Sequence, residues 1–154
     1  MSTKNDAAQS ELVDTSNNVR LRTVTWGKPE THKQTPIVLV HGLASNAMLW
    51  EGAALALSSL GHLVTAVDLR GHGLSEKPDT GYDMRTVTKD LAGLLHEIQK
   101  QGFVAPVVCG QSWGGNVVLE LAHTQPELVR GVVCIETTMR QCDTCSPILR
   151  KRNL

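Results

Sequence analysis

Val104-Ala105-Pro106-Val107-Val108-Cys109-Gly110-Gln111-Ser112-Trp113-Gly114-Gly115-Asn116-Val117-Val118-Leu119-Glu120-Leu121 is the stretch whose reading decides the fold. It begins as an apolar run rich in valine, the pattern of a strand buried on both faces. It continues as a helix, predicted over Gly114–Thr124 and closed by Pro126. Between the two stands Gly110-Gln111-Ser112-Trp113-Gly114, a G-x-S-x-G pattern. A serine on so tight a strand-to-helix turn must adopt a strained backbone, and its neighbours must be small for the chain to pass. Gly110, Gly114 and Gly115 supply that room. The turn is expected to lift the Ser112 hydroxyl above the C-terminal edge of a sheet. There the N–H groups of a starting helix favour developing negative charge.

The rest of the chain supplies the sheet. Ile37–Val40 and Leu63–Val67 are short apolar runs that read as buried strands, and Val129–Glu136 reads as a last one. Ser45 or Asn46 can cap a helix through Leu60, with Gly61 placed to end it. Asp83 can cap another, in which Val87, Leu91, Leu94, Leu95 and Ile98 fall on one face before Gly102. Glu11–Val13 and Val19–Trp26 flank a turn-like Ser16-Asn17-Asn18 and predict an antiparallel hairpin. Strands alternating with helices imply an α/β fold, a mostly parallel sheet of about six strands with helices on both faces and the hairpin at its N-terminal side.

Composition narrows the function classes. The 154 residues suggest one domain, and 41% hydrophobic residues are enough to build a core. Fifteen basic residues balance fifteen acidic ones, without the basic excess of a nucleic-acid binder. No apolar run approaches a membrane span, and Met1–Ser10 lacks the apolar stretch of a secretory signal, so a cytoplasmic location is the default expectation. Cys109 and Cys134 lie in apolar runs and read as small core residues. Cys142 and Cys145 form a lone C-x-x-C, without the second pair or histidines of a zinc site, so neither metal nor redox chemistry is expected there. No Gly-rich dinucleotide or phosphate cradle is present, and no cofactor is expected.

Ser112 as a nucleophile needs a hole for the oxyanion it creates. Val38-Leu39-Val40-His41-Gly42-Leu43 ends a strand with a glycine and exposes the Leu43 N–H; with the Trp113 N–H it would make a two-donor hole. Together, His41-Gly42, Asp68-Leu69-Arg70-Gly71-His72-Gly73-Leu74-Ser75 and Gly110-Gln111-Ser112-Trp113-Gly114-Gly115 resemble the N-terminal half of the α/β-hydrolase family. Its esterase, C–C hydrolase, non-haem peroxidase and epoxide-hydrolase-like branches are the most similar. The resemblance runs from about Glu11 to Glu136. It implies Ser112 as nucleophile, the Leu43 and Trp113 amides as oxyanion donors, and a small-molecule acyl-type substrate. Serine rather than aspartate at 112 favours acyl transfer over dehalogenase or epoxide-hydrolase chemistry.

In that family the catalytic histidine follows the eighth strand and the acid usually the seventh. Here the last histidine is His123, inside the helix after the elbow. His41 and His72 fit loop-shaping positions, while His32, His62 and His96 read as exposed or helix-surface residues. Glu136, at the end of the sixth strand, is the candidate acid, set against an ordinary polar strand end; Asp68 fits a structural loop motif. Residues 1–10 are expected as a disordered tail, 11–136 as the N-terminal part of a hydrolase domain, and 137–154 as a divergent tail with a solvated Arg150-Lys151-Arg152. Serine is a poor nucleophile without an adjacent base, so the chain alone should be slow. A non-enzymatic remnant that binds a ligand or partner is the alternative. The uncovered apolar edge Val132–Ile135 is expected to invite self-association.

Overall fold

A computed structural model describes residues 8–28 and 34–137. Its centre is one six-stranded sheet made of β1 (Gln9–Asp14), β2 (Arg20–Trp26), β3 (Ile37–Val40), β4 (Val64–Val67), β5 (Val107–Gln111) and β6 (Gly131–Ile135), in the spatial order β1-β2-β4-β3-β5-β6. β1 and β2 form the expected antiparallel hairpin, and β2 also runs antiparallel to β4. The pairs β3–β4, β3–β5 and β5–β6 are parallel. The sequence thus places the chain correctly as an α/β fold with a mostly parallel sheet.

Helices cover both faces. On one, α2 (Met84–Lys100) and α3 (Trp113–Thr124) lie over Val19, Leu21, Val38, Val40, Val67 and Val108. The predicted stripe Val87, Leu91, Leu94 and Leu95 is buried there, with Ile98 packed against it. On the other face Asn46 caps a single 3-10 turn, Ala47–Trp50, which runs into α1 (Glu51–Ser59). Ala47, Trp50 and Ala54 close over Val24, Trp26, Leu39, Val64 and Ala66. Asp83 caps α2 by accepting from Thr86 N–H at 3.0 Å and the Thr86 hydroxyl at 2.7 Å, which holds its carboxyl below the usual range. Gly61 and Gly102, with φ of 94° and 92°, end the helices as expected.

Several boundaries differ from expectation. β1 begins at Gln9, not Glu11, because Gln9 and Ser10 extend the ladder opposite Thr25 and Val24. The last strand begins at Gly131, since Pro126–Leu128 forms a 3-10 turn first. Cys109 is buried, but Cys134 is exposed: no described element covers the outer side of β6. Val133 and Ile135 are 46% and 40% exposed beside it. The segments containing His32, Cys142, Cys145 and Arg150–Arg152 fall outside the described residues. None of the described helices is long and apolar enough to cross a membrane.

Candidate active site

β5 leads into α3 with no intervening loop, and Ser112 is the single residue between them. Its backbone sits at φ 52° and ψ −121°, a region that a side chain makes costly, by about 1–3 kcal/mol. Two hydrogen bonds hold the bend: Ser112 N–H donates to the Ile135 carbonyl at 2.8 Å, and Gly115 N–H donates to the Ser112 carbonyl at 2.9 Å. The hydroxyl has no hydrogen-bond partner among the described residues, and the residue is half-buried.

The glycines act through close approach. A Cβ at Gly110 would sit 2.3 Å from the Gly114 carbonyl oxygen, and one at Gly114 would sit 2.3 Å from the His41 carbonyl oxygen. The end of β5 is therefore pressed onto the first turn of α3, and that turn onto the end of β3. Gly42 completes the contact, since a Cβ there would lie 3.1 Å from Ser112 Cβ and 2.7 Å from Gln111 Oε1. The backbone entering Leu43 thus runs alongside the elbow. The Leu43 N–H has no acceptor among the described residues. Trp113 is the first residue of α3, so its N–H is one of those the helix leaves without an internal partner.

Among the described histidines, His41, His62 and His72 bond to groups other than Ser112. His41 is fully buried; its Nδ1–H donates to the Gly42 carbonyl at 2.6 Å, and its Nε2 accepts from Leu69 N–H at 3.0 Å. Both ring nitrogens are engaged in the neutral tautomer, and burial holds the imidazole pKa below its usual value. His72 Nδ1–H donates to the Arg70 carbonyl at 2.9 Å, and its ring lies 5.0 Å from that of His41. His62 donates to the Thr35 carbonyl at 2.9 Å, and His96 and His123 are exposed. None of these five hydrogen-bonds the serine.

Glu136, expected to end the last strand, instead follows β6 in a bend with φ 49°, exposed, and accepts from Gln111 Nε2 at 3.4 Å. Gln111 was not singled out by the sequence. It abuts Gly42, precedes Ser112 and tethers Glu136, so it joins the three strand ends around the elbow. Its only signal was its place as the variable letter before the serine.

Asp68, at the end of β4, turns out to be consumed by structure. Its carboxylate accepts from Ala47 N–H at 2.6 Å and Leu74 N–H at 2.8 Å, and pairs with Arg22 at 3.3 Å. Gly73, with φ 49°, packs so closely that a Cβ would lie 2.0 Å from that carboxylate. Farther along, Arg70 grips Asp90 of α2 through two bonds of 2.6 and 2.9 Å, and the Asn17 amide also donates to Asp90.

Residues 35–152 match the model of the alpha/beta hydrolase fold family. The chain is 33% identical over 123 residues to 2-(acetamidomethylene)succinate hydrolase of Mesorhizobium japonicum, covering 80% of this chain and 43% of that protein. It is 39% identical over 131 residues to epoxide hydrolase A of Mycobacterium tuberculosis, covering 84% of this chain and 38% of the relative. Among solved structures, epoxide hydrolase A from Mycobacterium thermoresistibile superposes with a TM-score of 0.74 at 35% identity, covering 83% of this chain and 39% of that one. The chain therefore spans about two fifths of the length of the curated relatives it matches. With the six-stranded sheet and the strand–serine–helix junction in place, the conclusion is that this chain belongs to the alpha/beta hydrolase fold family.

Proposed function

We propose that the chain carries the nucleophile half of a serine hydrolase acting on an ester or related acyl-type bond. Ser112 is the nucleophile, and the Leu43 and Trp113 amides receive the oxyanion. The observation that carries the reading is the backbone of Ser112 itself. A non-glycine residue at φ 52°, packed by Gly42, Gly110 and Gly114, costs stability and leaves an unpartnered hydroxyl at the head of a helix. The similar proteins named above comprise a 2-(acetamidomethylene)succinate hydrolase and an epoxide hydrolase. Serine at 112 supports the acyl-type reaction over the epoxide one.

Glu136 is the proposed acid, poised on the same rim as Ser112 and tethered through Gln111. No described histidine is placed to activate the serine, so the isolated chain is expected to turn over slowly. Removal of one triad member typically leaves about 10³–10⁴-fold catalysis over water from the oxyanion hole and binding. Activated-ester hydrolysis by the purified chain, together with fluorophosphonate labelling, tests the reading. Weak turnover and labelling that disappear in Ser112→Ala are expected; turnover unchanged in Ser112→Ala would overturn it.

A second reading follows from the engaged histidines: a chain that binds an acyl or carboxylate ligand at the two amides without turning it over. Ligand binding retained in Ser112→Ala, with no ester turnover by the parent chain, would favour it.

A further inference from the structure

We infer that a cavity between the β1–β2 hairpin and the C-terminal half of α2 binds a small primary amine in its protonated form. The inference is independent of the role given to Ser112. The cavity measures about 230 Å³ and is lined from β1, β2, β4 and α2. That is room for about seven waters, or for a short alkyl chain with one polar head. Thr65, which lines it, stands near the start of β4, whereas Ser112 follows the end of β5. Both strands run parallel to β3, so the cavity lies toward the end of the sheet opposite the elbow.

The sheet face under α2 changes character here. In β2 the core residues Val19 and Leu21 give way to Thr23 and Thr25. In β4 Val67 is preceded on the same face by Thr65, and in β1 Val13 is preceded by Glu11. The ladder gathers the polar residues, setting Glu11 opposite Thr23 and Thr25 opposite Thr65. Directly opposed residues share a face. All four line the cavity, and Leu94 and Ile98 of α2 form an apolar wall across from them.

The hydrogen bonding of this patch is unfinished. The Thr25 and Thr65 hydroxyls bond each other at 3.1 Å, which uses one of their two protons. Thr23 is 2% exposed, and its hydroxyl is the sheet's one buried side-chain polar atom without a partner among the described residues. A buried hydroxyl left unpaired costs stability, and such groups are ordinarily satisfied by protein, water or ligand. Charge selects the ligand. The described residues lining the cavity include no lysine, arginine or histidine, and their two carboxylates are Glu11 and Glu97. Glu97 is already paired with Lys100 at 2.7 Å, whereas Glu11 has no ion pair or hydrogen bond among the described residues. An anion would find no counter-charge there. An ammonium head finds the Glu11 carboxylate and, across the ladder, the Thr23 hydroxyl oxygen to accept from it, while its methylenes lie against Leu94 and Ile98.

Amide NMR of the 154-residue chain, titrated with butylammonium chloride at fixed ionic strength, tests this. Butanol and butyrate serve as the neutral and anionic matches. Saturable shifts at the amides of Thr23, Thr65 and Leu94 are expected, with a dissociation constant on the order of 1 mM for so small a ligand. Butanol should bind about tenfold more weakly, and butyrate should leave these amides unmoved. Glu11→Gln, at an exposed edge position, should weaken butylammonium by about tenfold while the rest of the spectrum stays unchanged. Thr23→Val, which keeps the shape of the side chain, should weaken it by about threefold. Shifts that grow without saturating, butanol or butyrate binding as tightly as the amine, or an affinity unchanged in either variant would each overturn the inference.

Discussion

The turns that follow β4 and β5 lie at the same rim of the sheet, on either side of β3, and they treat polar groups in opposite ways. After β4, every polar atom of Asp68 is used: two amides and Arg22 take the carboxylate, and the Ser75 hydroxyl donates to the Asp68 carbonyl at 2.5 Å. After β5, the Ser112 hydroxyl has no partner among the described residues, nor has the adjoining Leu43 amide after β3, and the serine backbone is strained. A saturated network rigidifies a loop, whereas unsatisfied donors beside a strained residue lower stability and leave capacity for a ligand. A carboxylate at a strand end is therefore no evidence of chemistry by itself. What separates the two turns is whether the polar atoms are already occupied.

The contrast can be broken from either side. Asp68→Ala should have the largest effect, because it strands the buried Ala47 amide and the part-buried Leu74 amide and takes the carboxylate from Arg22; a loss of about 3–5 kcal/mol is expected in urea unfolding. Gly114→Ala comes next. Its Cβ would meet the His41 carbonyl at 2.3 Å, backbone that cannot swing aside, and about 2–3 kcal/mol of overpacking should appear in the same measurement.

His41 stands between the two turns, and its titration sharpens the comparison. Burial lowers its folded-state pKa below the usual 6.5, so the unfolded chain binds the extra proton first as pH falls. Stability from this group is complete above pH 6.5 and declines below it, by at most about 1.4 kcal/mol per pH unit. Unfolding midpoints compared at pH 7.5 and 5.5 should show this, and His41→Gln should flatten the decline. The smallest effect is of opposite sign. Ser112→Gly relieves the φ 52° backbone and should stabilise the fold by about 1 kcal/mol, whereas Ser112→Ala, which keeps a Cβ, should not. A destabilised Ser112→Gly would mean that the bend is not strained.

Much of this was legible in the residues. Strand and helix periods, the helix-ending glycines at 61 and 102 and the glycines around Ser112 are local features, and the chain obeys them. The turn glycines could be read because close backbone approach has one cheap solution. Contacts between distant segments could not. Nothing near Asn17 announces Asp90, and nothing near Gly73 announces that its missing Cβ makes room for the Asp68 carboxylate. Cys134 was misread because its apolar neighbours describe a strand, while its exposure depends on which elements lie beside that strand.

Asp90 has a consequence of its own. One carboxylate on α2 is held by Arg70 from the loop after β4 and by Asn17 from the first hairpin, so three stretches far apart in the chain meet at a single buried point. A peripheral two-stranded ribbon would ordinarily fray in advance of the body it decorates. Here its detachment would expose an ion pair belonging to the interior, so exchange of those Gln9–Asp14 amides that are hydrogen-bonded to β2 should be governed by unfolding of the whole domain.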